Sequence, residues 1–597
     1  MTIDISIVTY NSEQHIEELI QSLTSLEFNL KQVTLLFHDN NSKDNTLEIL
    51  NKTIPNIKDK FSDIIINPHA DNIGFGKAQN LSISKGSSEF VFILNPDVKI
   101  SLSCLKILYE TAKSDVLNFV AWEARQAPFE HPKIYNPVTL ETPWASGAAL
   151  FIKRTVFEEI GGFDPNFFMY GEDIDLSFKL RENGWKIKYV PKAIVWHYTY
   201  SNEGEIKPFQ VLGAINANLI LRAIYGTWID IIKGMFMCFK ILLSPSKIFF
   251  RQKKKIFQNI FNFIKNIKFY RSLAKNKKNK IKFYKWDYCP MRRGAFHDIS
   301  DGINLLDKKN NNLPLVSVLV RTVGKKLLLK QALQSIANQT YPNIEIIIVE
   351  DGNKSVNDVI EDFKNLKISY YSTGKKVERC ISGNLAMEKA IGDYFIFLDD
   401  DDLFYADHIE QLVSAVLKNN TKIAYSSSFE IPTEIDKNTG EIIAEGKYKE
   451  FYNEQFSFFN LIACNCFPNN SILFDKSLFH TCGGFDPELV IAEDWNLWLK
   501  FSLKIRNFLP VPKTTSLYRV PYHKKDYAKR HAILLKAFNK AKAKHSTFEV
   551  TLKISELEEL IEKSSYSGLS SALSKRFPKI TPIINAMAKT YRFFRQI

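Results

Sequence analysis

Two ordered sets of acidic residues, about 300 positions apart, carry most of the reactive potential of this 597-residue chain. The first set is Asp39, Asn95-Pro96-Asp97 and Glu172-Asp173, and the second is Asp351, Asp399-Asp400-Asp401 and Glu493-Asp494. Asp39 and Asp351, Asp97 and Asp401, and Asp173 and Asp494 are separated by 312, 304 and 321 residues. Order is kept while spacing drifts by loop-sized amounts, so a duplication of whole domains is expected. The phrase Gly161-Gly162-Phe163-Asp164-Pro165 recurs as Gly483-Gly484-Phe485-Asp486-Pro487, just ahead of each Glu-Asp pair.

Both central acid clusters follow apolar runs: Phe90–Leu94 leads into Asn95-Pro96-Asp97, and Tyr394–Leu398 leads into Asp399-Asp400-Asp401-Asp402. Carboxylates crowded at the end of a buried strand raise one another's pKa, and a divalent cation is the natural partner. Oxygen donors favour Mg²⁺ or Mn²⁺ with phosphates completing the shell. Such an ion would neutralise charge growing on a diphosphate leaving group. Asp173 and Asp494 each stand beside a glutamate, and adjacent carboxylates lift one another's pKa. Structural readings stand beside these: Asn95-Pro96-Asp97 as a turn, and each Glu-Asp pair as acids favoured at a helix N-terminus. Gly74-x-Gly76 lacks the third glycine of a dinucleotide fingerprint.

The elements that must position these groups alternate in period. Ile5–Val8 and Val316–Val320 read as short strands; Ile16, Leu19, Ile20 and Leu23 mark a helix, and so do Leu333 and Ile336; Val33–Phe37 and Ile344–Val349 follow as strands. Strand alternating with helix predicts an α/β fold with a mainly parallel sheet, whose ligands bind beyond the carboxyl ends of the strands. Asp39 and Asp351 fall there.

Charge divides the chain differently. Residues 231–286 contain sixteen Lys/Arg and no acid, and taking those sixteen from the formal +14 leaves −2. Basicity confined to one linker disfavours a nucleic-acid groove. Its lysines are interleaved with bulky apolar residues, and no run reaches the ~18 residues that span a bilayer. A helix lying on an anionic membrane surface is the expectation, with a solvated helical connector as the alternative. The seven cysteines are scattered, and Cys464-x-Cys466 lacks a second pair, so buried thiols in a reducing compartment are expected. The chain starts on a strand without a signal-peptide pattern, which predicts a cytoplasmic location. The expected domains are 1–225, a basic linker over 226–312, 313–525, and a helical tail over 526–597 able to mediate homo-oligomers.

In this combination the motifs resemble the inverting GT-A glycosyltransferases of family 2, in both repeats. Asp39-Asn40-Asn41-Ser42-x-Asp44, Asn72-x-Gly74-Phe75-Gly76 with Asn80, Leu94-Asn95-Pro96-Asp97-Val98 and Phe168-Met169-Tyr170-Gly171-Glu172-Asp173 are similar to bacterial rhamnosyl- and galactofuranosyltransferases of surface polysaccharides. In the second repeat Glu350-Asp351-Gly352, Glu378-Arg379 with Asn384, Leu398–Asp402 and Glu493-Asp494-Trp495 match the broader family. The resemblance implies Asp173 and Asp494 as catalytic bases, and Asp39, Asn95, Asp351, Asp399 and Arg379 as nucleotide contacts. It also implies Asp97, His197 and Asp401 as metal ligands, with His523 a further candidate that departs in spacing. It implies two GT-A domains in one bifunctional enzyme that adds sugars from nucleotide-sugar donors to a lipid-linked bacterial surface glycan, of O-antigen or capsule type, at the inner face of the cell membrane. One catalytic domain with a degenerate acceptor-binding partner, and a non-catalytic carbohydrate-binding scaffold, are the alternatives.

Overall fold

A computed structural model describes residues 2–198, 205, 207–244, 252–274, 281–284, 288–293, 313–436, 439–451, 455–551 and 553–554. The first repeat supplies β1 (Ile3–Thr9), β2 (Val33–Asp39), β3 (Asp63–Pro68), β4 (Phe90–Leu94), β5 (Val98–Ile100), β6 (Phe119–Ala127), β7 (Ala149–Lys153) and β8 (Lys186–His197). They form one sheet in the order β3-β2-β1-β4-β7-β6-β8-β5. The second repeat supplies β9 (Val316–Thr322), β10 (Ile344–Glu350), β11 (Ile368–Ser372), β12 (Tyr394–Asp399), β13 (Leu403–Phe404) and β14 (Ile423–Ile435), then β15 (Ile442–Glu445), β16 (Lys449–Phe451), β17 (Ile472–Asp475) and β18 (Leu509–Pro521). Its order, β11-β10-β9-β12-β17-β14-β18-β13, reproduces the first sheet strand for strand, with β15 and β16 added beside β14.

The α/β expectation holds, with a refinement. Four strands of each sheet are parallel, β3-β2-β1-β4 and β11-β10-β9-β12. Beyond them β7 and β17 run antiparallel, so each sheet is mixed. All residues of β1 and β9 are buried, as in central parallel strands covered on both faces. A helix follows each acid-bearing helix and packs on it. Pro208–Tyr225 covers Glu172–Glu182 through Phe178 and Tyr225, ring centroids 5.1 Å apart. Lys524–His545 covers Glu493–Lys504 through Trp495 with Phe538 and His545, at 5.2 and 4.7 Å.

The basic segment forms two helices, Trp228–Leu243 and Lys253–Ala274, while its described residues 281–284 are not helical. Ile231, Cys238, Ile256, Ile260 and Phe263 share one apolar cluster with Leu219, Ile220 and Phe178. The boundary expected at 225/226 therefore runs through a continuous core. No described helix is long and apolar enough to cross a membrane. No disulfide joins the seven cysteines, and Cys104, Cys238, Cys289 and Cys380 are buried.

The two halves dock through a buried, charge-balanced network. Arg125 of β6 donates to both oxygens of Glu410 at 2.7 and 3.1 Å. Lys513 of β18 reaches Glu130 at 2.8 Å and Asp407 at 2.6 Å, while Arg292 reaches Asp407 at 3.1 Å. Tyr135, Tyr189, Tyr405 and Phe429 pack around it. The 288–293 segment stitches both halves: Arg292 donates its amide to Pro132, and Arg293 accepts from the Thr514 amide at 3.1 Å.

Candidate active site

In the first half, Asp39 ends β2, the Asn95–Asp97 turn follows β4, and residues 147–148 link that turn to Asp173. Asn95 follows β4 and donates its amide to the Ala148 carbonyl at 2.9 Å. One residue back, Gly147 donates its amide to Asp173 Oδ2 at 3.2 Å. Residues 147–148 thereby tie the Asn95–Asp97 turn to the first turn of the Glu172–Glu182 helix. A Cβ on Gly74 would collide with the Phe168 carbonyl, and the positive φ of 84° is itself glycine's region. That lets the Phe75 amide bond Phe168 at 3.0 Å and seats the 168–173 loop. Asn80 clamps the repeated Gly-Gly-Phe-Asp-Pro phrase, donating to Phe163 O at 2.9 Å and accepting from Phe163 N at 3.0 Å.

Burial sets the electrostatics of this site. Burial, reinforced by the charge of Asp173, pushes Glu172 up to about 8, and its buried Oε2 has no hydrogen-bond partner among the described residues. Asp173 is also raised by burial, against the opposing Gly147 and Ile174 amides. Two adjacent carboxylates, one of them buried, disfavour ionising together. Behind them Glu123 and Lys133 form a buried ion pair, and Glu123 also accepts from the Ser146 amide at 2.9 Å, beside Gly147.

Asp97 and His197 meet across the β5–β8 ladder, Oδ1 lying 3.4 Å from Nε2, and Asn95 Nδ2 lies 3.4 Å from the same ring nitrogen. Gln126 Oε1 sits 2.7 Å from His197 Nδ1. A carbonyl oxygen only accepts, so Nδ1 carries the hydrogen and, on a neutral ring, Nε2 presents its lone pair to the Asp97 carboxylate. Two electron-rich groups so placed suit a cation between them, and phosphate oxygens would have to complete its shell. Burial acts to raise Asp97, but its contact with His197, helped by a backbone amide and His15, holds it below the usual carboxylate range. Among the described residues, no cluster of three or more His, Cys, Asp or Glu could hold a metal alone. Asp39 ends β2 and is buried, accepting from Thr9 Oγ1 at 2.9 Å and from the Ser42 amide at 3.0 Å.

The second half repeats the scaffold and changes the charges. Asn384 clamps Phe485 as Asn80 clamps Phe163, at 3.0 and 2.7 Å. Arg321, the penultimate residue of β9, holds Asp399 with two parallel bonds of 2.7 and 2.8 Å and reaches Glu493 at 3.2 Å. Arg379 adds a second guanidinium 3.7 Å from Glu493. Burial, then the charge of Glu493, lifts Asp494 to about 7, while Asn465 Nδ2 donates to it at 2.9 Å. Lys325 stands 3.8 Å from Asp400 and 3.3 Å from Asp401. Burial, with the charge of Asp401, pushes Asp400 to about 6, and burial raises Asp402 as well.

Strand register corrects two pairings read from spacing. Thr9 pairs with Asp39, and Thr322 with Glu350, so Asp39 corresponds to Glu350 and Asp351 to Asn40. Glu350 accepts from Ser355 much as Asp39 accepts from Ser42, whereas Asp351 takes the Val377 and Glu378 amides at 2.5 and 3.1 Å, just ahead of Arg379. Likewise Trp196 pairs with Lys99, and Leu517 with Leu403, which puts Tyr518 where the first half has His197. Tyr518 bonds Glu430 at 3.0 Å, and His523 lies further on beside Glu434 at 3.1 Å. A cation at Asp401 is thus matched by fewer donors than at Asp97 and must displace the half-exposed Lys325.

Sequence reasoning placed Arg321 within a matching strand without giving it a role, and passed over Lys325, Gln126, Gly147 and Asn465. Arg321 had a readable signal, a cation inside the apolar run Val316–Val320 continuing to Thr322. Gln126 and Asn465 carry none without the fold.

Comparison with known proteins agrees with this geometry. The profile described as Glycosyl transferase family 2 matches residues 4–175 and 317–479, and one described as Glycosyl transferase family group 2 matches 138–277. The chain is similar to an N-acetylglucosaminyl-diphospho-decaprenol L-rhamnosyltransferase of Mycobacterium tuberculosis, 29% identical over 242 residues, covering 33% of this chain and 76% of that protein. It is also similar to an uncharacterized glycosyltransferase of Rickettsia typhi, 30% identical over 198 residues, covering 32% and 60%. Among solved structures, residues 1–349 of Staphylococcus aureus TarS align at 16% identity and a TM-score of 0.31 over 46% of this chain and 90% of that one. A mannosyltransferase from Pyrobaculum calidifontis, solved with GDP-Man and Mn²⁺, aligns at 15% and 0.31 over 44% and 86%.

Proposed function

The chain belongs to glycosyl transferase family 2, and from that premise we propose that it is a bifunctional inverting enzyme with one nucleotide-sugar site in each half. The supporting observation is the repeated convergence of a strand-end acid cluster and a Glu-Asp helix start, joined through residues 147–148 in one half and through Arg321 in the other. Each site transfers a sugar from a nucleotide donor to a growing bacterial surface polysaccharide of O-antigen or capsule type. The acceptor is lipid-linked, a reading favoured by the diphospho-decaprenol acceptor in the name of the mycobacterial relative, and the enzyme works peripherally at the inner face of the membrane.

Asp173 and Asp494 are the general bases. Each accepts the proton of an acceptor hydroxyl while that oxygen forms its bond to the anomeric carbon. The bond from that carbon to the phosphate oxygen breaks on the opposite face, its electron pair leaving with the nucleoside diphosphate, so one displacement inverts the centre. The amides of Gly147 and Ile174 hold Asp173, and those of Trp495 with Asn465 hold Asp494, each aimed by its helix start. Asp39 and Asn95 in one half, and Asp351, Asp399 and Arg379 in the other, border the nucleotide. Asp97 with His197, and Asp401, are the donors for Mg²⁺ or Mn²⁺, which when bound supplies positive charge to the leaving diphosphate.

One observation favours a second reading. Arg321 already pairs with both Asp399 and Glu493, as in a half kept for acceptor binding rather than transfer. Separate Asp173→Asn and Asp494→Asn variants, assayed for diphosphate release and sugar transfer against a panel of nucleotide sugars, decide between them. Two active sites give two losses, each confined to one donor, of about 10²–10⁴-fold. All transfer lost with one variant and none with the other leaves a single catalytic half.

A further inference from the structure

We propose that the outer face of the Trp228–Leu243 and Lys253–Ala274 helices is a docking surface for an anionic bilayer, fixed to the catalytic helix of the first site; this rests on the lipid-linked acceptor proposed above. On the first helix Ile229, Ile232, Phe236, Phe239 and Leu243 are 52–83% exposed, at spacings of three and four that align them on one face. On the second, Phe257, Phe261 and Ile264 are 51–63% exposed, while Ile256, Ile260 and Phe263 on the other side are buried. The two helices touch each other and both pack on Pro208–Tyr225. They run antiparallel, because Arg271 near the end of one lies 5.3 Å over the Trp228 ring at the start of the other.

Scattered exposed apolar residues need no explanation, but two adjacent stripes on one unit do. The charge around them selects the occupant. Residues 231–286 hold sixteen Lys/Arg and no acid, with Lys233, Lys240, Lys254, Lys255, Lys265 and Lys268 exposed among the apolar side chains. A second copy of such a face would bring like charges together, whereas anionic headgroups complement it, and apolar side chains at this spacing suit the headgroup–acyl boundary.

This face is mechanically tied to the first site. Pro208–Tyr225 lies between, and its Tyr225 hydroxyl donates to Asp175 at 2.7 Å, two residues from Asp173. Gly171, immediately ahead of Glu172, has no room for a Cβ against Ala217, nor has Gly213 against Tyr170. Docking therefore sets where Asp173 stands relative to the headgroups, the plane in which a lipid-linked acceptor presents its sugar.

Cosedimentation of the full chain with phosphatidylserine-containing and with pure phosphatidylcholine vesicles tests this. Wild type should bind the anionic vesicles at least tenfold more strongly. Ile232→Glu/Phe236→Glu should abolish binding, and Lys254→Gln/Lys255→Gln should weaken it several-fold with a reduced salt dependence. Both variants should keep the wild-type melting temperature and donor hydrolysis in solution. Wild type that ignores both vesicles, or charge-reversed apolar positions that bind unchanged, would overturn the proposal. So would a dimer in light scattering that Ile232→Glu/Phe236→Glu converts to monomer, since a second copy would then own the face. Vesicle binding that persists in a chain without any transferase activity would retire the functional reading and leave the surface standing.

Discussion

The two sites share a scaffold and differ in what neutralises their acids. In the first, Glu172 and Asp173 open a helix with no guanidinium paired to either among the described residues, and burial drives Glu172 to about 8. In the second, Arg321 sits between Asp399 and Glu493, and the raised acid is Asp494 at about 7. Position 321 corresponds by register to Val8 of the first half. Two positions at neighbouring strand ends, Val8 against Arg321 and Asn95 against Asp399, thus change which charged groups border the Glu-Asp pair. The duplicated fold fixes where the acids meet, and neighbouring cations then decide which of them ionise.

Removing Arg321 should break the comparison most violently. Arg321→Leu takes the main cationic partner from the part-exposed Asp399 and leaves the buried Glu493 only the more distant Arg379, a loss of up to about 3 kcal/mol by the measure of buried ion pairs. The corresponding Val8→Leu in the first half changes only packing. Chemical denaturation followed in both variants should show a large loss for the first and about 1 kcal/mol or less for the second.

Glu172→Gln and Glu493→Gln are the same change at equivalent helix starts, with opposite expected signs. Glu493→Gln removes a charged partner from Arg321 and should cost about 2 kcal/mol. Glu172, by contrast, binds its proton more tightly folded than unfolded. Its contribution is fully present below the unfolded value of 4.5 and is lost as pH rises through about 8. Glu172→Gln should therefore stabilise the protein at pH 8 and change little at pH 4.5, read as melting temperature against pH. A destabilising effect at pH 8 would mean that the folded protein does not raise Glu172 above its unfolded value.

Metal dependence should separate the sites next. Gln126 sets the His197 tautomer from behind, and residues in that role typically alter metal affinity 10–100-fold. Gln126→Leu should weaken Mn²⁺ activation of the first site by about that factor and leave the second untouched, measured in an Asp494→Asn or Asp173→Asn background. Equal weakening in both would remove the distinction drawn between His197 and Tyr518.

Much of this arrangement was legible in the residues. The duplicated order of acids, the strands running into them and the clamp phrase around Phe163 and Phe485 are local patterns that survive translation into structure, because apolar strands bring their ends to one sheet edge. The off-by-one match of Asp39 with Asp351 was not avoidable. Asp and Glu are equivalent to charge counting, and only the Thr322–Glu350 ladder pairing shows which residue ends the strand. The buried network of Arg125, Glu410, Asp407, Lys513 and Arg292 was equally invisible, since its members lie up to 388 positions apart and look like ordinary surface charges until the halves dock. Beyond residue 554 the expected helical tail lies outside the described residues, while its first part is the helix that covers Trp495.

The pH response of the second site gives a smaller effect. Asp494 must be ionised to accept a proton, and its value of about 7 predicts kcat/KM for that donor falling tenfold per pH unit below about 7. Replacing Asn465 by Ala removes a hydrogen bond that favours the charged form, so the midpoint should move up.

Lys325→Ala is the mildest change, and the most pointed. The side chain is 47% exposed, so its pairing with Asp401 is worth little, about 0–1 kcal/mol. Folding should be unaffected. That same ammonium competes with any cation for Asp400 and Asp401, and removing it should tighten Mn²⁺ activation of the second site by about two- to fivefold, the equivalent of that small energy. The first site has Ser12 in the matching loop and no such competitor to lose. If Lys325→Ala instead abolishes transfer while Mn²⁺ response is flat, the ammonium itself serves the diphosphate, and the two halves differ in the kind of cation they use.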